Sequence, residues 1–288
     1  METIDQKINE FKQRVEADWA GDETAAAWQK YYVPMKEQLA EVTKALVEAA
    51  NPQPGMIVLD IASGTGEPSL SIGNRVAPNG KVIATDLSEG MLKFLAHNAK
   101  TEGVTNIETK ACDAHDLPFP DGMFDLVTSR FGVMFFGELD RAFAEIRRVL
   151  KPGGRVAFMV WGAPIPNSYF GTSVVPYMKR MANKPDPDGP SPMRFAEPGK
   201  LVNAVEASGF SDVHERSFNL PAPFRGSPEG LLTKMMEIAA PFRNAAASLS
   251  DEDRHAAEQE VFENLRPLYD GTYTNVTAPV IIATAVSE

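Results

Sequence analysis

A chain of 288 residues is long enough for one large domain, or a domain carrying insertions, around a substantial core. Its 28 basic and 39 acidic residues leave a net charge of −11 with no dense Lys/Arg run, which argues against nucleic acid as a partner. The single cysteine, Cys112, excludes an intramolecular disulfide, residues 1–10 lack a signal-peptide pattern, and no apolar run reaches the ~18 residues of a membrane span, so a cytoplasmic protein without a membrane partner is expected.

Ile4, Ile8, Phe11, Val15 and Trp19 recur at steps of four and three, the spacing of one helix face. After Asp22-Glu23-Thr24 a second face follows with Trp28, Tyr32, Met35, Leu39, Val42 and Leu46. Two helices are therefore expected before the first strand, with Pro34 bending or starting part of the second. Residues 56–61 form a short apolar run with β-branched members, which predicts a buried parallel strand carrying Asp60 at its end. The glycines of Ala62-Ser63-Gly64-Thr65-Gly66 let the backbone turn sharply and leave room for a ligand. Leu70, Ile72 and Val76 continue as an amphipathic helix whose N-terminus suits an acidic group.

Asn79-Gly80 makes a turn, and Lys81–Asp86 reads as a second strand. An acid about 20 residues beyond a glycine turn is placed to accept hydrogen bonds from both hydroxyls of a ribose, and Asp86 fills that position. A helix over 89–100, capped by Ser88, leads to a third strand over 106–111 and then to Cys112-Asp113-Ala114-His115. Residues 124–129 are a fourth strand. Leu139, Phe143, Ile146 and Leu150 mark the inner face of the next helix, stopped by Lys151-Pro152-Gly153-Gly154 before a fifth strand over 155–161. Arg147, Arg148 and Lys151 meet the negative end of that helix.

Residues 162–197 lose regularity, with seven prolines among Tyr169, Phe170, Tyr177 and several methionines, and so long a connection reads as a lid. Residues 197–208 return to helix and 212–220 to strand. Residues 227–265 are mostly helical, with Leu231, Met235, Ile238 and Phe242 on one face, and Thr277–Val286 supplies a last strand. Seven strands alternating with helices predict an α/β, doubly wound, Rossmann-like, mostly parallel sheet with N-terminal helices. The expected organisation is an N-terminal helical lid over 1–50, a core over 51–162, inserted lid segments at 163–197 and 221–276, and completion of the sheet by 198–220 and 277–288. Ligands of such sheets bind beyond the carboxyl ends of the strands, where Asp60, Asp86, Asp113 and Ser129 fall.

Residues 28–162, and more loosely 197–220, resemble the class I S-adenosylmethionine-dependent methyltransferases of the ubiquinone/menaquinone-biosynthesis type. The carriers are Val58-Leu59-Asp60-Ile61-Ala62-Ser63-Gly64-Thr65-Gly66, Ala84-Thr85-Asp86-Leu87-Ser88, Asp113-Ala114 with Leu117-Pro118-Phe119, Phe124-Asp125-Leu126-Val127, and Arg148-Val149-Leu150-Lys151-Pro152-Gly153-Gly154. The resemblance implies that Asp60 and the turn through Ala62, Ser63, Gly64 and Gly66 cradle the methionine part of the cofactor. It further implies that Asp86 holds the ribose, that Asp113 and the Ala114 N–H meet the adenine, that Leu87 and Met91 pack on the base, and that the Ser129 backbone faces the methionine end. At Ala62 the family usually has glycine. A nicotinamide cofactor, the competing ligand for such a turn, expects a third glycine near position 69, where this chain has Ser69.

Methyl transfer of this kind is an in-line displacement needing position more than a protein nucleophile, and positioning supplies on the order of 7–11 kcal/mol. Trp28, Tyr32 and Phe131 are candidate rings near the sulfonium, at about 0.5–2 kcal/mol for a cation over a ring. His97, His115, His214 and His255 are too scattered for a metal site, and no catalytic residue is identified. Arg130 and Arg194 are candidates to orient an anionic or carbonyl group, against surface pairing. Ser129-Arg130-Phe131-Gly132 lacks the Asn/Asp-Pro-Pro-Tyr pattern of amino-nitrogen methyltransferases, which leaves O- or C-methylation of a small aromatic or quinol-like acceptor by a monomer or homodimer. A non-catalytic binder of the same cofactor is the alternative.

Overall fold

The computed structural model describes residues 19, 21–182, 186 and 188–288, so Ile4, Ile8, Phe11 and Val15 lie outside the described residues. Seven strands form one sheet: β1 (Ile57–Ile61), β2 (Lys81–Asp86), β3 (Ile107–Ala111), β4 (Phe124–Arg130), β5 (Leu150–Trp161), β6 (Ser211–Pro221) and β7 (Thr277–Val286). Their order is β3-β2-β1-β4-β5-β7-β6, and only β7 runs antiparallel to its neighbours. The order reverses at β1, where β2 lies on one side and β4 on the other. A crevice opens at such a reversal because the helices that follow leave toward opposite faces. Register sets Asp60 beside Thr128 and Ile61 beside Thr85, so the ends of three strands are level there.

The core explains the strand signals. Val58, Leu59, Leu126, Val127, Ala157 and Phe158 are buried, as a strand covered on both faces requires, and Phe143 stacks on Phe158 at 5.5 Å between ring centroids. The second N-terminal face is divided among three helices, Asp22–Lys30, Tyr32–Gln38 and Ala40–Ala50, jointed at Tyr31 and Leu39. Pro34 sits in the first turn of the middle one, where its missing N–H would have had no partner.

Two sequence expectations are corrected. Helix Leu139–Val149 ends one residue short of Leu150, which is extended and opens β5; the Lys151-Pro152-Gly153-Gly154 run belongs to that strand, secured by Gly153 N–H to Ser287 O at 2.7 Å. The proline-rich connection also holds two short helices, Tyr169–Ser173 and Val175–Met178, the first capped by the Ser168 hydroxyl accepting from Gly171 N–H. They pack with helices Pro228–Ile238, Ala240–Ala247 and Asp251–Leu265 around a second apolar cluster that includes Tyr177, Leu231, Met235, Phe242 and Val261.

Candidate active site

The strand-to-helix turn is built from its own backbone outward. Ser63 N–H donates to Thr85 O at 2.9 Å and Ser63 Oγ to the same oxygen at 3.1 Å, tying the turn to the end of β2. Gly64 (φ +55°) and Gly66 (φ +149°) are in the region that favours glycine, and a Cβ on Gly66 would stand 2.8 Å from Leu70 Cδ1 and 3.4 Å from the Tyr32 ring. Ala62 holds φ +56° despite its side chain, and Phe131, just past β4, holds φ +63°. Their neighbour Gly132 has no room for a methyl, since a Cβ there would lie 2.6 Å from that of Ala62. Strained residues on two adjacent strand ends mark the place where the fold sacrifices local comfort for shape.

Asp60, the acid expected at the methionine end, is held from below. Its carboxylate is fully buried and accepts from the hydroxyls of Ser69 and Thr128, the latter at 2.7 Å, so it locks β1, β4 and helix Ser69–Val76 together beneath the turn. Burial pushes its pKa up to about 6, against the two hydroxyl donors. Ser129 is committed in the same way, its hydroxyl donating to Ile61 O at 2.9 Å.

Asp86 behaves differently. Oδ2 accepts from Gly64 N–H and Oδ1 from Ser88 N–H, both at 2.9 Å. A carboxylate offers about four acceptor directions, so two backbone donors leave capacity for a pair of hydroxyls. Leu87 beside it is exposed, Met91 is buried on the following helix, and Ala114 is buried beyond β3. Asp113 accepts from His115 N–H at 2.9 Å and contacts His115 Nδ1 at 2.5 Å, while His115 Nε2 accepts from Glu138 N–H at 3.2 Å. With Nε2 as acceptor, Nδ1 carries the hydrogen, which makes His115 the group that orients Asp113. His97, His214 and His255 are exposed.

The N-terminal helices close over this end of the sheet. Gln29 and Asn98 exchange two amide hydrogen bonds at 2.9 Å, and Asn98 also donates to Thr65 O at 2.9 Å, joining the first helix, the helix after β2 and the turn. Tyr32, buried at the turn, donates to Glu102 at 2.6 Å, and burial followed by that acceptor pushes its pKa far up, so it is a phenol at any working pH. Trp28 donates to Ile238 O at 2.9 Å, linking the N-terminus to the segment before β7. Arg130 is no surface pair: it donates to the Thr43 hydroxyl, and burial lowers its pKa. Arg194 donates to Phe136 O at 2.6 Å.

Two parts of the roof escape the sequence reading. Trp19 packs on Trp28 (6.0 Å) and Phe135 (5.4 Å), an aromatic group over the end of β4. Lys234 is buried on helix Pro228–Ile238, on the face shared with Leu231, Met235 and Ile238; a lysine in an apolar register was the available signal. The open space beside Gly64 and the unused acceptor capacity of Asp86 fit an adenosyl sulfonium cofactor.

Residues 37–184 match the ubiE/COQ5 methyltransferase family. The ubiquinone/menaquinone biosynthesis C-methyltransferase UbiE of Cupriavidus metallidurans is 37% identical over 190 residues, covering 61% of this chain and 75% of that protein. The UbiE of Bordetella avium is 39% identical over 156 residues, 52% of this chain and 60% of its own length. Among solved structures, phosphoethanolamine N-methyltransferase 2 of Haemonchus contortus, in complex with S-adenosyl-L-methionine, aligns with TM-score 0.55 at 18% identity over 96% of this chain and 60% of that one. The [4+2]-cyclase SpnF aligns with TM-score 0.52 at 19% identity over 85% of this chain and 79% of its own, a likeness of fold alone. A family match over half of the sequence, with a relative more than a third identical across most of its own length, leads to one conclusion: the chain belongs to the ubiE/COQ5 methyltransferase family and is an S-adenosylmethionine-dependent methyltransferase.

Proposed function

We propose that this enzyme methylates a ring carbon of a small phenolic or quinol-like acceptor, working in the cytoplasm as a monomer or homodimer. Support for carbon comes from relatives described as C-methyltransferases of ubiquinone and menaquinone biosynthesis. Support for a small acceptor comes from the acidic surface and the aromatic roof. In this reading residues 1–50, 163–197 and 221–276 form the lid, and 51–162, 198–220 and 277–288 the core beneath it.

When bound, S-adenosylmethionine supplies a methyl group on a positively charged sulfur. Asp86 would accept the two ribose hydroxyls with the capacity that Gly64 and Ser88 leave free. Asp113, oriented by His115, would accept the adenine amino group beside the Ala114 N–H, with Leu87 and Met91 against the base. The backbone of Ala62, Ser63, Gly64, Gly66 and Ser129 would line the methionine end, with Asp60 shaping that turn from below. Trp28 and Tyr32 would close the site from the N-terminal side and exclude water.

The observation carrying the cofactor assignment is the 2.9 Å bond between Asp86 and the Gly64 amide, which joins the distal acid to the glycine turn. The test incubates the protein with S-adenosylmethionine and a panel of demethylated quinols and phenols, and locates the new methyl by NMR. A carbon-bound methyl is the expected product. Oxygen-bound product would move the assignment to O-methylation, and transfer to tRNA or peptide with none to the panel would overturn it.

A further inference from the structure

Among the described residues Lys234 is the only lysine or arginine that is fully buried. Its Nζ lies 5.1 Å from the centre of the Tyr169 ring and 4.8 Å from that of Phe224, and donates to Gln38 Oε1. Gln38 is itself held by its Nε2 donating to Ala222 O at 3.1 Å. Among the described residues no carboxylate pairs with the amine, and burial alone pushes its pKa down to about 7. An unpaired buried ammonium is costly, whereas an amine that gains its proton together with an anion has much of that cost offset by the pair.

The place of this group in the fold matters as much as its chemistry. Tyr169 lies on Trp161 (6.1 Å), and Trp161 stacks at 3.9 Å on Phe131, the strained residue straight after β4. On the other side Gln38 ends the helix that Tyr32 begins, and the Tyr32 ring lies against Gly66. Tyr32 and Gln38 are about 9 Å apart along that helix at a rise of about 1.5 Å per residue, so Lys234 is linked both to the glycine turn and to the neighbouring strand end. Flat rings around one ionisable nitrogen suit a planar molecule bearing one acidic oxygen.

Resting on the acceptor class proposed above, we infer that Lys234 holds the acidic hydroxyl of the acceptor ring, taking its proton and keeping the oxygen as a phenolate paired with the ammonium between Tyr169, Phe224 and Gln38. In that step the O–H bond breaks, its electron pair stays on oxygen, and an N–H bond forms, with no co-reactant and no change in total charge. The charge on oxygen is shared with adjacent ring carbons and raises their nucleophilicity. After methyl arrival at such a carbon the ring is a neutral dienone, which loses the proton that the carbon bore to bulk solvent on release, and aromaticity is restored.

The test titrates 4-nitrophenol into the full-length protein loaded with S-adenosylhomocysteine, at a pH where the free phenol is mostly un-ionised, and follows the phenolate absorption band. The wild type is expected to show the band on binding. Lys234→Met, which keeps the apolar stem, is expected to lose it and to bind the probe about tenfold more weakly, as when one charge-assisted hydrogen bond is removed. Lys234→Gln is expected to do the same, and both should bind S-adenosylhomocysteine as the wild type does. For hydroxyl-bearing acceptors kcat/KM should fall about a hundredfold in Lys234→Met, while methoxy analogues react equally with both proteins. No band in the wild type, or equal bands in wild type and variants, overturns the inference. An intact band beside an unreactive quinol panel would instead remove only the acceptor assignment.

Discussion

The two halves of the site are made in different ways. The cofactor half, from β1 to the residues after β3, is mostly backbone: the Gly64 and Ser88 amides on Asp86, the Ser63 amide on Thr85 O, the positive φ values at 62, 64 and 66. The roof is side chains from distant parts of the chain: Trp28 on Ile238, Lys234 on Gln38, Tyr169 on Trp161. Backbone held by short local bonds makes a rigid cradle for an invariant ligand. A surface of side chains from separate segments is easily reshaped, which suits the half proposed to meet the acceptor.

The largest test of the contrast concerns Asp60, which supports the cradle through the hydroxyls of Ser69 and Thr128. Its carboxyl is raised from 3.8 to about 6 by burial, so its contribution to folding is fully present below pH 3.8 and is lost as the pH rises through about 6. Above that the buried carboxylate costs about 3 kcal/mol, which a neutral isostere avoids. The stability of the wild type relative to Asp60→Asn should therefore decline between those two pH values in urea titrations; a difference that stays flat would show the charge to be compensated.

Asp86→Ala comes next. It should weaken S-adenosylhomocysteine by about 2 kcal/mol, roughly thirtyfold, in calorimetry. A variant that binds normally would break the cradle description. On the roof side, Trp28→Phe removes one hydrogen bond between the N-terminal helices and the 221–276 segment, about 1 kcal/mol, and should lower amide protection over Asp22–Lys30 without altering that over β1. Protection lost equally in both regions would mean that the halves unfold as one. The smallest effect is expected at Ala62→Gly: relief of about 1 kcal/mol of backbone strain is partly offset by the freer unfolded chain, leaving a gain of about 0.5 kcal/mol in the melting transition.

Legibility followed the same division. The strand Lys81–Asp86 and the last strand Thr277–Val286 have the bounds that their residues predict, because a bounded apolar run between turn residues has few competing conformations. Leu150 misled because it continues the helical spacing of Leu139, Phe143 and Ile146, yet pairing with Phe124 holds it extended. Asp60 and Asp86 look alike as acids at strand ends, and only the hydroxyls of Ser69 and Thr128 around the first separate their roles. Lys234 carried a signal, a charge in an apolar register, but its reason lies with Gln38, 196 residues away.

By its sequence alone, then, this protein determined the parallel sheet, the glycine turn and the acid that faces it, because short-range periodicity and turn chemistry act within some thirty residues. The tertiary structure alone decided which acid is sealed beneath the turn, which aromatic rings roof it and that one lysine is enclosed among them. Those outcomes depend on desolvation and on contacts between segments far apart in the chain, and neither is a property of any local stretch.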